Sequence, residues 1–312
     1  MDKKLIFVCA LFCSSVAAKP PSAQPAKAPP QANDRVAMVE RADGKPGKAR
    51  RGFDWDTLDP NRLNLHSAKA LIVDQNGEVV YAKQADSPTP IASITKLMTA
   101  MVVLDSGADL DQMITVRPAD RDWEKGTSSR LRIDRATLAR REMLMIALMA
   151  SENRAAAALG RTTFPGGTSE FVRAMNRKAA KLGMRDARFV DSTGLNPGNR
   201  ASPRDLVKML QAAYEYPLIR QATTTASMEV RPHAKGAPLA YRNTNRLVKK
   251  DSWNIGLSKT GYISEAGRCL AMRATIAGRP LYIVFLDSFG KLTPIGDSNR
   301  LRQWIEKELN KG

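Results

Sequence analysis

The sequence has few of the side chains that most often bind a catalytic metal or activate a serine. It contains two histidines, His66 and His233, in 312 residues. A catalytic zinc site usually takes His ligands, and a Ser-His-Asp triad needs a His as its base. Both histidines lie in loop-like contexts. We therefore expect no metal site, no bound cofactor and no triad of this kind.

Cysteine is also scarce. Cys9 and Cys13 lie near the start of the chain, and Cys269 is the third. Cys269 belongs to an alternating apolar run, residues 269–276, where a free cysteine usually packs as a small hydrophobe. If the first two cysteines are removed with a leader, Cys269 remains alone and no internal disulfide can form.

The chain lacks an apolar run long enough to span a bilayer. Its first residues combine Lys3 and Lys4, an apolar run at 5–13 and the small residues 16–18. This pattern is typical of a secretory signal peptide, so we assign residues 1–18 to one. The alternative reading of this segment is an N-terminal membrane anchor, although the run is short for a transmembrane helix.

Large apolar side chains are nearly absent from residues 19–60, which are rich in Pro, Ala, Lys and Arg. Such a segment cannot form a packed core, and we interpret it as a flexible tether before a domain at 61–312. The formal net charge is +18, spread along the chain. A basic surface suits nucleic acid, an anionic membrane or an acidic wall polymer. Predicted export argues against nucleic acid, so we favour the wall polymer.

The apolar patterning predicts an α+β fold. Strands are predicted at 70–74, 78–82, 228–231, 239–242, 253–262, 268–276 and 281–286, with a closing helix at 294–309. The residues from 134 to 216 look mainly helical, with Asp134, Ser151 and Ser202 as candidate N-caps. Strands at both ends with helices between them indicate an antiparallel sheet plus a helical lobe. We expect the closing helix to pack on the sheet; a membrane-surface anchor is the alternative.

The most informative motif is Ser93-Ile94-Thr95-Lys96, at the start of a predicted buried helix. Residues three apart on a helix share a face, so the Lys96 amine can reach the Ser93 hydroxyl. A serine needs a neighbour that takes its proton, and a lysine can do so only if its pKa is lowered. Ser288 and Lys291 have the same spacing. However, they follow a strand, and we interpret Ser288 as a turn residue.

Two further motifs follow in order. Ser151-Glu152-Asn153 ends an apolar helix, and Lys259-Thr260-Gly261 lies on a predicted strand. The order Ser-x-x-Lys, Ser-x-Asn, Lys-Thr-Gly is the signature of serine β-lactamases and penicillin-binding proteins.

On these motifs the sequence resembles the low-molecular-mass penicillin-binding proteins, within them the D-alanyl-D-alanine endopeptidases of the penicillin-binding protein 7 type. The segments 151–157, 189–195, 242–245 and 253–262 also fit, and the resemblance runs from about 63 to 306. It implies the serine β-lactamase/transpeptidase-like fold, with the active site between sheet and lobe. Glu152 departs from the wider pattern, in which glycine is more usual.

The chemistry suggests a role for each motif residue. Ser93 would be the nucleophile, Lys96 its base and Ser151 a proton relay to the leaving amine. Asn153 would hold the substrate amide and Lys96. Substrate binding would also use a group on one strand: Lys259, Thr260, Gly261 and Tyr262. By resemblance, the backbone N–H groups of Ser93 and Tyr262 would form the oxyanion hole. The charge of Lys259 is expected to lower the pKa of Lys96.

The resemblance implies a periplasmic enzyme that cuts D-alanyl crosslinks in peptidoglycan and is acylated by β-lactams. Three alternatives remain: a carboxypeptidase that trims terminal D-alanine, a β-lactamase, and a non-catalytic wall-binding protein. The expected partners are stem peptides and their crosslinks, with no nucleic acid and at most peripheral contact with a membrane.

Overall fold

The computed structural model describes Trp55 and residues 58–123, 125–233 and 235–309. The predicted signal peptide and most of the predicted tether lie outside these ranges. The strands are β1 Lys69–Asp74, β2 Val79–Lys83, β3 Thr89–Pro90, β4 Met113–Thr115, β5 Thr137–Ala139, β6 Arg200–Ala201, β7 Ser227–Val230, β8 Leu239–Arg242, β9 Asn254–Ile263, β10 Gly267–Ile276 and β11 Arg279–Ser288. The helices are α1 Thr95–Asp105, α2 Arg140–Met149, α3 Asn153–Thr162, α4 Gly167–Lys181, α5 Pro203–Tyr214, α6 Pro217–Thr224 and α7 Thr293–Leu309.

Strands from both ends of the domain form one antiparallel sheet, as the sequence predicts. Its order is β2-β1-β11-β10-β9, so β9 is an edge strand. The first hairpin turns at Asp74, whose carboxylate accepts a hydrogen bond from Asn76 N at 2.8 Å, with Gly77 at φ +89°. Three small two-stranded pairs, β3–β6, β4–β5 and β7–β8, lie in the inserted part of the chain.

Both faces of the sheet are covered, which explains why its strands read as nearly continuous apolar runs. Alternate residues point to opposite faces: Val284 packs towards the helical lobe, whereas Ile283 and Phe285 pack on the other side. Leu301 and Trp304 of α7 cover this second face, which confirms the predicted packing of the closing helix. No helix in the described ranges is both long and apolar enough to cross a membrane.

Some local predictions differ from the structure. Ser202 does cap α5, accepting a hydrogen bond from Asp205 N at 3.2 Å. By contrast, Asp134 and Ser151 cap no helix: α2 begins at Arg140, and Glu152 caps α3. Trp55 and Leu58, which the sequence assigns to the tether, are buried with the α7 cluster. Packed structure therefore begins before residue 61.

Candidate active site

The candidate nucleophile lies in a 3₁₀ turn, Ala92–Ile94, that leads directly into α1. Ala92 has φ +47°, an uncommon conformation for a residue with a side chain. Residues Thr95 to Val103 of α1 are all buried, so this helix is held on every side between the sheet and the lobe. The turn thereby holds Ser93 in the lining of the cleft, at the helix start that its motif predicts.

The Lys96 amine lies where the sequence places it, beside Ser93. Its Nζ is 2.9 Å from Ser93 Oγ, 2.7 Å from Asn153 Oδ1 and 2.6 Å from the carbonyl oxygen of Thr193. Lys96 is 1% exposed, and this burial lowers its pKa to about 7. The carboxylates of Asp191, Glu152 and Asp122 oppose the effect. A neutral amine at hydrogen-bond distance from a serine hydroxyl can accept its proton.

The second motif follows the last turn of α2. Ser151 has φ +61° and lines the cleft. Asn153 is the first residue of α3; its Oδ1 accepts from Lys96, and its Nδ2 donates to Thr127 Oγ1 at 3.0 Å. The amide is therefore fixed at both ends, with one further N–H available to a ligand.

Glu152, the departure from the wider pattern, has a structural explanation. Its Oε1 accepts from Arg154 N at 3.2 Å and caps α3. Its other oxygen accepts from the hydroxyl of Tyr241 at 3.4 Å, and Arg130 stacks on the Tyr241 ring at 4.4 Å. Glu152 thus links the start of α3 to Tyr241 of β8 by hydrogen bonds. Its charge also acts to raise the pKa of Lys96.

The third motif lies on the edge strand β9. Lys259 is 1% exposed; burial first, and then the charge of Lys96, lower its pKa well below the usual range. Repulsion between two ammonium groups acts on both pKa values, so the lowering of the Lys96 pKa by Lys259 stays a prediction. Burial is the main cause of the shift of the Lys96 pKa. Thr260 Oγ1 donates to Thr244 Oγ1 at 2.7 Å, and the Tyr262 side chain is exposed at the cleft.

Gly261 brings β9 against the nucleophile turn. A Cβ at this position would lie 3.0 Å from the carbonyl oxygen of Ile91 and 3.1 Å from Ser93 N. The sequence assigns Gly261 to a close approach by the ligand, whereas the structure also shows a close approach by the protein's own backbone. Gly194, at φ +81°, packs on the other side, where a Cβ would lie 2.0 Å from the Ala92 carbonyl oxygen.

The segment 189–195 fits the resemblance, but the sequence analysis assigns it no role, and the structure shows that this loop holds the Lys96 amine. The Asp191 carboxylate accepts hydrogen bonds from the loop's own backbone and side chains: Thr193 N at 2.5 Å, Thr193 Oγ1 at 2.8 Å, Gly194 N at 2.6 Å, Asn196 N at 2.9 Å and Asn199 Nδ2 at 2.8 Å. This network fixes the Thr193 carbonyl oxygen that accepts from Lys96. The signal present in the sequence is Asp191 followed by Ser-Thr-Gly, a pattern typical of turns closed by an aspartate side chain.

These groups meet at one cavity of about 390 Å³. It is lined by Ser93, Thr127, Ser151, Asn153, Leu195, Thr244, Arg246, Thr260, Gly261, Tyr262, Arg268, Cys269, Leu270, Lys291, Leu292, Pro294 and Ile295. All three motifs therefore contribute to the lining of one cavity. Lys96 and Lys259 are buried next to it, in contact with the lining residues Ser93 and Thr260 respectively. Such a site combines a hydroxyl, a weakly basic amine and amide donors, the groups that acyl transfer requires.

The chain is similar to known proteins over most of its length. It is 47% identical over 248 residues to a D-alanyl-D-alanine endopeptidase of Pseudomonas aeruginosa, covering 79% of each chain. It is 47% identical over 243 residues to the D-alanyl-D-alanine endopeptidase of Escherichia coli, covering 78% of each. Among solved structures, the DD-transpeptidase of a Streptomyces strain superimposes with a TM-score of 0.71 at 26% identity, over 77% of this chain and 97% of that one.

These similarities confirm the expected fold, an antiparallel sheet flanked by helices plus a helical lobe. A family model described as D-alanyl-D-alanine carboxypeptidase matches residues 56–290, a range that contains all three motifs. The chain belongs to this family of serine D-alanyl-D-alanine peptidases.

Proposed function

We propose that this chain is a periplasmic serine endopeptidase that hydrolyses D-alanyl crosslinks in peptidoglycan through an acyl-enzyme on Ser93. The observation that carries the proposal is the contact between Lys96 Nζ and Ser93 Oγ at 2.9 Å, with the pKa of Lys96 lowered to about 7. At neutral pH a large fraction of the amine is then uncharged, beside the hydroxyl that it must deprotonate.

In acylation, the neutral Lys96 amine takes the Ser93 proton as Oγ attacks the D-alanyl carbonyl carbon. The carbonyl electron pair moves to its oxygen and gives a tetrahedral intermediate. The intermediate then re-forms the carbonyl, breaks the C–N bond and leaves an ester on Ser93. The leaving nitrogen takes a proton that originates on Lys96, and Ser151, which lines the same cavity, is the proposed relay. Water then attacks the ester by the reverse sequence and frees Ser93.

The developing oxyanion needs donors held in place before the reaction. The backbone N–H groups of Ser93 and Tyr262 are the proposed pair, taken from the resemblance to the family. The close approach at Gly261 supports this pairing, because it brings the β9 backbone to the Ser93 amide. Neither donor requires a side chain to move.

The substrate carboxylate would bind beside β9. Thr260 has a hydroxyl at the cleft wall, and the only hydrogen bond found for Lys259 Nζ among the described residues goes to the Thr260 carbonyl oxygen at 3.0 Å. The Lys259 amine therefore has N–H groups to spare. A bound carboxylate beside it would favour its charged form and raise its pKa again.

The choice of endopeptidase over carboxypeptidase rests on similarity. Two relatives named endopeptidase are each 47% identical to this chain across nearly four fifths of their own length. The family description names the carboxypeptidase activity, which remains the second candidate. Both reactions use the same acyl-enzyme and differ in the amine that leaves.

Purified protein should be incubated separately with crosslinked muropeptide dimers and with free pentapeptide, and the products identified by mass spectrometry. Ser93→Ala is the matched control. We expect monomers from the dimers with the wild type and no products with the variant. If the wild type leaves dimers intact while pentapeptide loses its last residue, the enzyme is a carboxypeptidase.

A second measurement separates peptidase from β-lactamase. Penicillin should acylate Ser93, and the adduct should be detectable by intact mass. A long-lived adduct supports the peptidase, whereas a half-life on the order of seconds would identify a β-lactamase. If the dimers remain uncut and no adduct forms on folded protein, the remaining interpretation is a non-catalytic wall-binding protein.

A further inference from the structure

The active-site cavity extends past the catalytic motifs into a basic groove. We define the basic groove by Arg246, Arg268 and Lys291, which line the cavity together with Leu292 and Ile295. Arg246 lies in the 3₁₀ turn after β8, Arg268 on β10 and Lys291 just before α7. Three separate segments thus each contribute a cation to the lining of this cavity.

The charge of the basic groove is not balanced from within. None of the described residues that line the cavity is acidic. Arg246, Arg268 and Lys291 form no ion pair with any part of the chain that the structure describes. Two acids close to Arg268 in the fold do not line the cavity. Glu265 forms an ion pair with Lys125 at 2.5 Å, and Asp287 packs against Gly267.

Arg268 is held ready for a ligand. Its guanidinium lies 3.7 Å from the centroid of the Tyr262 ring, a stacked arrangement that leaves the N–H edge free. Because the stack already restricts the side chain, less freedom is lost when it binds a carboxylate. Tyr262 directly follows the Lys-Thr-Gly motif, so the Arg268 guanidinium lies next to the strand that carries this motif.

The geometry points to the basic groove as a subsite for the free carboxylates of a peptide strand that continues beyond the scissile bond. This inference rests on the proposed function, since a crosslink joins two stem peptides and both must lie in the cleft. Carboxylates distinguish this polymer from a neutral peptide, and planar guanidinium groups match them well. The apolar side chains of Leu292 and Ile295, which also line the cavity, would contact the aliphatic parts of the bound peptide.

Binding can be measured without cleavage by using Ser93→Ala. Calorimetry should compare this variant with one that also carries Arg246→Gln, Arg268→Gln and Lys291→Gln. The ligands are a crosslinked dimer with free carboxylates and the same dimer amidated on all carboxylates except that of the leaving residue. We expect the added substitutions to weaken binding of the free acid by about two- to five-fold for each charge, and to leave the amidated dimer unaffected. The salt dependence of the free acid should also shrink.

The matched control is Lys249→Gln in the Ser93→Ala protein. Lys249 is an exposed cation at the end of the same 3₁₀ turn as Arg246, but it does not line the cavity. Its loss should leave the dissociation constant unchanged. Thermal unfolding of each variant checks that the fold is retained. Arg268→Lys should bind at an intermediate strength, because it keeps the charge and loses the planar stack.

The subsite is overturned if the triple substitution leaves affinity and salt dependence at the control values, or if it weakens both dimers equally. The proposed function fails separately, if the wild-type enzyme binds the dimer but never cleaves it. Cleavage of dimers with no effect of the three cations would retain the endopeptidase and reject the subsite.

Discussion

The carbonyl oxygen of Thr193 accepts a hydrogen bond from Lys96 Nζ at 2.6 Å, the shortest of the three bonds that hold this amine. Thr193 is kept in place by Asp191, which accepts both its backbone N–H and its hydroxyl. The position of the base is therefore set by a loop almost a hundred residues further along the chain.

The first prediction concerns Asp191→Asn. The amide offers one acceptor oxygen in place of two, so the loop that carries Thr193 should loosen and the maximal acylation rate should fall by about ten-fold or more. The lost negative charge should also lower the pKa of Lys96 further, because Asp191 normally raises it. The acid limb of the rate profile should then move to lower pH, as measured by stopped-flow acylation with a fluorescent penicillin.

Asp186→Asn is the control for this variant. Asp186 is an exposed acid before the same loop, and its loss removes the same charge without contact with Lys96. If the limb moves equally in both variants, Asp191 has no special relation to the base.

The second prediction is the pH dependence of the wild type. Only neutral Lys96 can take the Ser93 proton, and burial lowers its pKa to about 7. The acylation rate should thus rise as the pH passes through about 7 and then level off. A rate that stays constant from about one unit below to one unit above this value would remove Lys96 from the role of base. Circular dichroism at each pH verifies that the protein remains folded.

The third prediction concerns Gly261→Ala. The added methyl group would lie 3.0 Å from a backbone oxygen and 3.1 Å from a backbone nitrogen, and backbone atoms cannot rotate away. The strand β9 should shift from the nucleophile turn, and acylation should fall by about 100-fold through loss of aligned oxyanion donors.

Gly256→Ala tests whether any substitution on β9 has this effect. Its Cβ would meet the side chains of Tyr214 and Arg273, whose far ends can move. Acylation by this control should stay near the wild-type rate. Equal losses in both variants would show that the contact with Ser93 is not the cause.

The fourth prediction links function to stability at Lys259→Met. Methionine removes a buried amine and keeps an apolar stem, so the free energy of unfolding should rise by about 1 kcal/mol or more. Acylation should fall about 10- to 100-fold, because the substrate carboxylate loses a charged donor. Chemical denaturation and acylation kinetics on the same preparation measure the two effects. Lys250→Met, at an exposed position, should change neither.

The same variant should change the pH dependence of stability. Lys96 and Lys259 have lowered pKa values in the folded state, so above about pH 7 the unfolded chain holds more protons than the folded one. Stability should therefore increase with pH between about 7 and 9 in the wild type. In Lys259→Met this increase should be smaller. An unchanged slope would show that Lys259 is charged in the folded protein.

The motifs predict much of the site because each is a local pattern with one dominant geometry. Ser93 and Lys96 are three residues apart at a helix start, and Thr260 and Tyr262, two apart on one strand, lie on the same face of it. The hydrogen-bond partners of these motif residues lie in distant segments, where no repeating sequence pattern identifies them. Thr127 and Thr244 are ordinary polar residues in sequence, and only the fold brings them to Asn153 and Thr260.

The sheet was predictable for a related reason: a short, continuous apolar run such as 281–286 is typical of a strand that is covered on both faces. The first residues of the helices were harder to predict from the sequence. Asp134 and Ser151 have the side chains of N-caps, but both have positive φ and lie in turns instead. Trp55 and Leu58 stand in a polar, proline-rich context, and their burial depends on a surface formed by α7 at the far end of the domain.

Ser288, in the second Ser-x-x-Lys sequence, is the last residue of β11 rather than the predicted turn residue, and its hydroxyl is buried against Ser67 Oγ at 2.7 Å. Ser67 in turn donates to Asp297 in the first turns of α7. Of the two serines in Ser-x-x-Lys sequences, only Ser93 therefore has a lysine amine beside its hydroxyl, and we expect an acylating agent to react with Ser93 and not with Ser288. Labelling stoichiometry with a penicillin can then be used directly to count competent molecules in a preparation.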